Sequence, residues 1–188
     1  MVEYGILIVD DEPYVSAALR RVLADEPCRI CSAERAMEGM AILKNHYIKV
    51  VISDERMPEM TGSEFLSAVR RDFPNVIRII LTGHASIDSA MRAINDGEIY
   101  RFLTKPWDDN EMRLTIRAAI EKYDLEEENR RLLKMVKDHA LNLRLLEKIY
   151  PGITDLERDS DGKIVLPDMS DEEMSQIVAQ LEEEFGQS

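Results

Sequence analysis

"GILIVDDEPYVSAALRRVLA", residues 5–24, changes its period halfway along. Residues 5–9 are an unbroken apolar run of strand length, the pattern of a strand buried on both faces. Asp10, Asp11 and Glu12 end that run. Pro13 then stands where a first helical turn tolerates it, and Val15, Leu19, Val22 and Leu23 fall on one helical face. A strand that delivers acids to its carboxyl end and turns at once into a helix is one half of a β–α repeat.

The repeat continues outward. Further short apolar runs are "CRICS" (28–32), "VVIS" (50–53), "IRIILT" (77–82) and "YRFLT" (100–104). Between them "AMEGMAIL", "GSEFLSAVRRDF" and "SIDSAMRAIND" have helical periodicity, with stops at Pro27, Pro74 and Gly97. Five strands alternating with helices predict an α/β fold: a doubly wound parallel sheet with right-handed crossovers and both faces covered. In such a sheet ligands sit outside the carboxyl ends of the strands. Those ends carry Asp10 and Asp11, Asp54, Thr82 and Lys105.

Crowded carboxylates require a cation, and oxygen donors with room for water suit a hard divalent ion, Mg²⁺ foremost or Mn²⁺. One carboxylate is then free to attack a phosphoryl group. Lys105 supplies a point charge to a phosphoryl oxygen and Thr82 a hydroxyl, while Pro106 fixes the chain that leaves the lysine. Taken singly, "DD" reads as a solvated turn, T-G as a loop, and an Asp after a strand as a helix cap. Their joint arrival at the ends of parallel strands favours phosphoryl chemistry.

"ILIVDDEP", "VVISDERMPEMTG", "IILTGHA" and "YRFLTKPW" resemble the receiver domain of two-component response regulators over roughly residues 3–123. "GEIYRFLTKPW" is most similar to receivers of nitrogen-regulator and HD-GYP regulators. The resemblance implies that Asp54 accepts phosphate from a histidine kinase or phosphotransfer protein. It also implies Mg²⁺ held by Asp11, Asp54 and the Arg56 backbone carbonyl, with Asp10 assisting, and a phosphoryl group held by Thr82 and Lys105. Phe102 takes the aromatic switch position, where Tyr is frequent; its inward preference then rests on packing alone. Arg56 and His84 lie at positions that influence phosphate lifetime in that family. His46, His84 and His139 sit in no phosphodonor pattern. A haloacid-dehalogenase-like phosphatase is the enzymatic rival, but it needs D-x-D where this chain has D-D-E. The expectation is therefore a non-enzyme that phosphorylates itself from a donor and hydrolyses the product slowly.

The rest of the chain divides, on this reading, into a helical dimerisation extension (124–150) and an acidic tail (151–188). The helix begins near Asn110 and runs to Tyr150 with no Pro or Gly. Met112, Ile116 and Ile120 face the sheet. Beyond them Leu125, Leu132, His139 and Leu146 take heptad position d, and Asn129, Val136, Leu143 and Tyr150 take a. Val and one Asn at a with Leu at d favour a parallel two-stranded coil, hence a homodimer; a helix folded back on its own domain is the alternative. In the tail, "SDG" reads as a hairpin turn, Ser170 with Glu173 as a capping box, and Met174, Ile177, Val178, Leu181 and Phe185 as a stripe on a last helix. Residues 157–168 have the spacing of a calcium loop, but Glu157, Asp168 and Pro167 depart from its pattern.

Charge bounds the partners. A net charge of −13 and an acidic tail argue against direct DNA binding. The apolar runs are too short to span a bilayer and the first residues carry no basic leader, so a cytoplasmic protein with no membrane insertion is expected. Cys28 and Cys31 form a C-x-x-C, but on a strand their odd spacing sends them to opposite faces. The expected output is phosphorylation-dependent contact with another protein, with a phosphate sink or relay as the alternative.

Overall fold

The computed structural model describes residues 4–83 and 99–149. Its elements are β1 (Gly5–Val9), α1 (Pro13–Val22), β2 (Arg29–Ala33), α2 (Ala36–Asn45), β3 (Ile48–Asp54), α3 (Gly62–Asp72), β4 (Ile77–Thr82), β5 (Arg101–Thr104) and α4 (Asp109–Ile149). The expected helix over 86–96, its stop at Gly97, His84, and the tail's hairpin, calcium loop, capping box and apolar stripe lie outside the described residues.

All strand pairs are parallel, in the order β2-β1-β3-β4-β5. The order reverses direction at β1/β3, the pair that carries Asp10 and Asp54. The expected doubly wound, receiver-like sheet is therefore the fold. Alternate residues feed two cores, as the period of two requires. Leu7, Val9, Val51 and Ile80 pack under α2 and α3 with Phe65, Leu66 and Val69. Ile6, Ile8, Val50, Ile52 and Leu81 pack with Leu19 of α1 and Met112 and Ile116 of α4. Cys28 joins the second core and Cys31 the first, on opposite faces as anticipated, and both are free thiols.

The structure draws β3 longer than the apolar run, because Ile48 and Lys49 belong to it. Lys49 is buried: its Nζ lies 2.6 Å from Asp124 of α4 and 4.0 Å from the centre of the Tyr4 ring. Tyr123, edge-on to Tyr47, is the last buried residue of α4 before the helix turns solvent-exposed.

Two compact units are distinguished, Met1–Leu132 and Leu133–Ser188. Helix α4 has the extent expected of it. Met112 and Ile116 are fully buried and Ile120 partly so, joined by Ala119 and Tyr123. Farther on, Leu125, Leu132, Val136 and Leu143 are exposed, as are Leu133 and Met135 beside them. Among the described residues no helix is long and apolar enough to cross a membrane.

Candidate functional site

Asp10 and Asp54 end neighbouring central strands, so the pairing of β1 with β3 sets their separation. Both are buried, Asp10 completely. Lys105, just past β5, reaches back between them: its Nζ lies 2.6 Å from Asp54 Oδ1 and 2.9 Å from Asp10 Oδ2. Glu12 stands farther off, at 3.9 Å. The lysine's backbone is tied down as well, because its N–H donates to the Thr82 carbonyl (2.8 Å) and the Lys105–Pro106 peptide is cis. The remaining carboxylate oxygens bond to the local chain. Asp10 Oδ1 accepts from the Glu12 N–H and Asp54 Oδ2 from the Arg56 N–H, each at 2.9 Å.

Thr82 ends β4, opposite Thr104, with its side chain buried and its hydroxyl donating to the Gly83 carbonyl (3.0 Å). Phe102 is half-buried on β5, packed toward the α2/α3 core. Asp11 is half-exposed. The structure thus gathers Asp10, Asp54 and Lys105 into direct contact, sets Thr82 at the end of the adjoining strand, and leaves Asp11 and Phe102 around them.

Burial raises the Asp10 carboxyl above its usual range, and the bonds from Lys105 and Glu12 recover only part of that shift. Burial opposes charge on Lys105 too, but its bonds to Asp54 and Asp10 outweigh it and the ammonium's pKa is raised. With both acids ionised the cluster carries two negative charges against one positive. The carboxylate oxygens of this cluster suit a hard divalent cation. Its carboxylates are two, however: among the described residues no three acidic, His or Cys side chains converge in a metal-holding group.

Two features had no sequence signal. One is the placement of the lysine between the two acids. The other is Glu55, buried directly after Asp54, whose carboxylate accepts from the Ser63 N–H (3.0 Å) and hydroxyl (2.8 Å). An acid and a serine eight positions apart form no recognisable motif.

Comparison with known proteins matches residues 6–117 to the response regulator receiver domain. The chain is 36% identical over 127 residues to the hydrogenase transcriptional regulatory protein HoxA of Cupriavidus necator, covering 68% of this chain and 26% of that one. It spans about a quarter to a third of the length of the curated relatives it matches. Among solved structures it is similar to the signal receiver domain of an HD domain-containing protein from Pseudomonas fluorescens (TM-score 0.64, 34% identity, 68% of this chain and 94% of that one). It is also similar to a beryllofluoride-activated NtrC4 receiver domain dimer (TM-score 0.59, 33% identity, 63% and 98%).

Proposed function

The chain belongs to the response regulator receiver family, and from that premise we propose that it takes a phosphoryl group onto Asp54 from a histidine kinase or phosphotransfer protein. The observation that carries this reading is the ammonium of Lys105 within 2.6 and 2.9 Å of two buried carboxylates at the carboxyl ends of β3 and β1. A buried acid beside a second acid and a fixed cation is poised to exchange partners rather than to stabilise the fold.

In the transfer, the Asp54 oxygen forms a bond to phosphorus as the donor's P–N bond breaks and the histidine nitrogen keeps the electron pair. Lys105 moves its bond from Asp54 to a phosphoryl oxygen, retaining Asp10 as its second partner. Thr82 turns its hydroxyl from the Gly83 carbonyl to another phosphoryl oxygen. Asp11, Asp54 and the Arg56 carbonyl, with Asp10 assisting, would hold Mg²⁺ or Mn²⁺, which when bound neutralises charge on the phosphoryl oxygens. Phe102 then repacks inward against the α2/α3 core as Thr82 turns.

The output is contact with another protein, gated by that repacking. The leucines and valine exposed beyond Tyr123 support a pairing surface, which we assign to a parallel homodimer. Relatives are named transcriptional regulators; with a net charge of −13, this chain would serve such a role through a protein partner rather than through DNA. The test is incorporation of label from a small acyl phosphate with Mg²⁺. Asp54→Ala abolishes it on this reading, and undiminished labelling of that variant would sink the assignment.

A further inference from the structure

The loop after Asp54 is closed at its neck by one residue. The Glu55 N–H donates to the carbonyl of Leu81 (2.9 Å), the residue before Thr82. Its carbonyl accepts from the Gly62 N–H (3.0 Å). Its carboxylate accepts from the Ser63 N–H (3.0 Å), and Ser63 Oγ lies 2.8 and 3.0 Å from its two oxygens. Between residue 55 and residues 62–63 the chain makes a tight excursion. Glu59 there adopts a φ of 71°, the left-handed region that costs a non-glycine residue energy. At the neck Gly62 lies so close to the Asp54 carbonyl that a side chain would collide with it.

That clasp acts on two groups of the site. Arg56 is the first residue of the loop; its N–H holds Asp54 Oδ2, and its carbonyl is the backbone ligand proposed above. A strained loop released at its neck would relax, and Arg56, next to that neck, is among the first residues such a change would reach. We infer that Glu55, through Ser63, is a positioning residue for phosphoryl transfer: the pair holds the Asp54–Arg56 backbone in the orientation that binds the divalent cation. The inference rests on the proposed role of Asp54. Nothing in it requires Glu55 to touch the phosphoryl group, and a carboxylate bonded to Ser63 at both oxygens is turned toward α3, not toward Lys105.

The experiment uses the full chain and the variants Glu55→Ala, Glu55→Gln and Ser63→Ala. Three quantities are read: amide hydrogen exchange over residues 55–63 in chelator, the Mg²⁺ dissociation constant from Trp107 fluorescence, and the labelling rate from acetyl phosphate at limiting and saturating Mg²⁺. Glu55→Ala should speed exchange in the loop and weaken Mg²⁺ binding by roughly three- to tenfold, the scale of one lost hydrogen bond. Labelling should slow at limiting Mg²⁺ and recover largely at saturation. Glu55→Gln, which keeps the length and one oxygen to accept from the Ser63 N–H while its amide N–H can turn to Ser63 Oγ, should restore part of the loss. Ser63→Ala should lie between them and serves if Glu55→Ala fails to fold. Variants that lose thermal stability but keep the Mg²⁺ constant and labelling rate would overturn the inference while leaving Asp54 in place. An unsubstituted chain that neither binds Mg²⁺ nor takes label would overturn both.

Discussion

Lys105→Met is the perturbation that most directly tests the account of the acidic site. The substitution keeps the stem and deletes the charge, so Asp10 and Asp54 face each other with no cation. Breaking a buried ion pair by removing one partner costs about 3–5 kcal/mol. The Lys105 side chain is 21% exposed, so water reaches part of the site and the lower figure applies, about 3 kcal/mol. With a urea dependence of about 1.5 kcal/mol per M for a domain of this size, the unfolding midpoint falls by about 2 M. Asp54→Asn behaves differently. It removes one of the two acids, and Lys105 keeps Asp10 at 2.9 Å, so the cost stays below about 1 kcal/mol. The double variant retains one buried acid without a cation and should recover about half of the loss, a coupling visible only because the groups are in contact. Urea titration in chelator, followed by circular dichroism, measures all three. Added Mg²⁺ should stabilise Lys105→Met more than the unsubstituted chain, because two uncompensated carboxylates bind a cation more tightly. A Lys105→Met midpoint within about 0.3 M of the original, or an Asp54→Asn loss as large as that of Lys105→Met, would refute the reasoning.

Gly62→Ala places a methyl group against the Asp54 carbonyl, and the backbone must shift to admit it; a loss of about 3 kcal/mol or outright failure to fold, with labelling lost alongside, is expected. Burial raises the phenol pKa values of Tyr4 and Tyr123, and the Tyr47 hydrogen bond adds to the second. The folded state therefore binds more protons than the unfolded state above pH ~10, so stability falls as pH rises through that range, with Lys105 contributing in the same direction. Tyr123→Phe should flatten the decline in thermal melts between about pH 9.5 and 11; an unchanged slope would count against the burial argument. Asp124→Ala leaves Lys49 buried with only ring faces for partners and should cost about 1–2 kcal/mol, whereas Lys49→Met frees a well-hydrated Asp124 at under about 1 kcal/mol; chemical denaturation ranks the two. Leu132→Asp with Val136→Asp should convert a dimer to a monomer in sedimentation velocity, and a chain already monomeric at roughly tens of micromolar would refute the pairing assigned to α4.

Sheet and site edge were both legible because their signals are local. A buried parallel strand is an apolar run, and the residue after it is the one delivered to the ligand-binding edge, so Asp10, Asp54, Thr82 and Lys105 could be placed by counting. The errors arose where partners are distant. The run at "VVIS" stops at Lys49 because lysine looks like an end, yet Asp124 and the ring of Tyr4 accept it inside the fold and β3 begins at Ile48. Glu55 drew no reading at all, because its partner lies eight residues on, across the neck of the loop. Strand β2 was expected one residue early because Cys28 is apolar, but it packs against the core from the strand's approach rather than from within it.

The burial pattern also constrains how a change at Asp54 could travel. Strand β3 is buried along its whole length, paired on both sides, and held at its far end by Lys49 to the last docked turn of α4. Packed elements of this kind do not deform continuously, so β3 behaves as a fixed frame. Strand β5 is the opposite case: four residues long, bonded to one neighbour only, and half-exposed at Phe102. Its carboxyl end holds Lys105, and the chain from there leads directly into the first turn of α4. The proposed shift of Lys105 from Asp54 to a phosphoryl oxygen would therefore pull on an edge strand of the sheet and on the start of the long helix. The Lys49 contacts hold the same helix at its last buried turn. The docked segment is thus joined to the site at its start and tied to β3 at Tyr123–Asp124, and a displacement begun at the site should tilt the docked part of α4 about that second contact rather than slide it along the sheet.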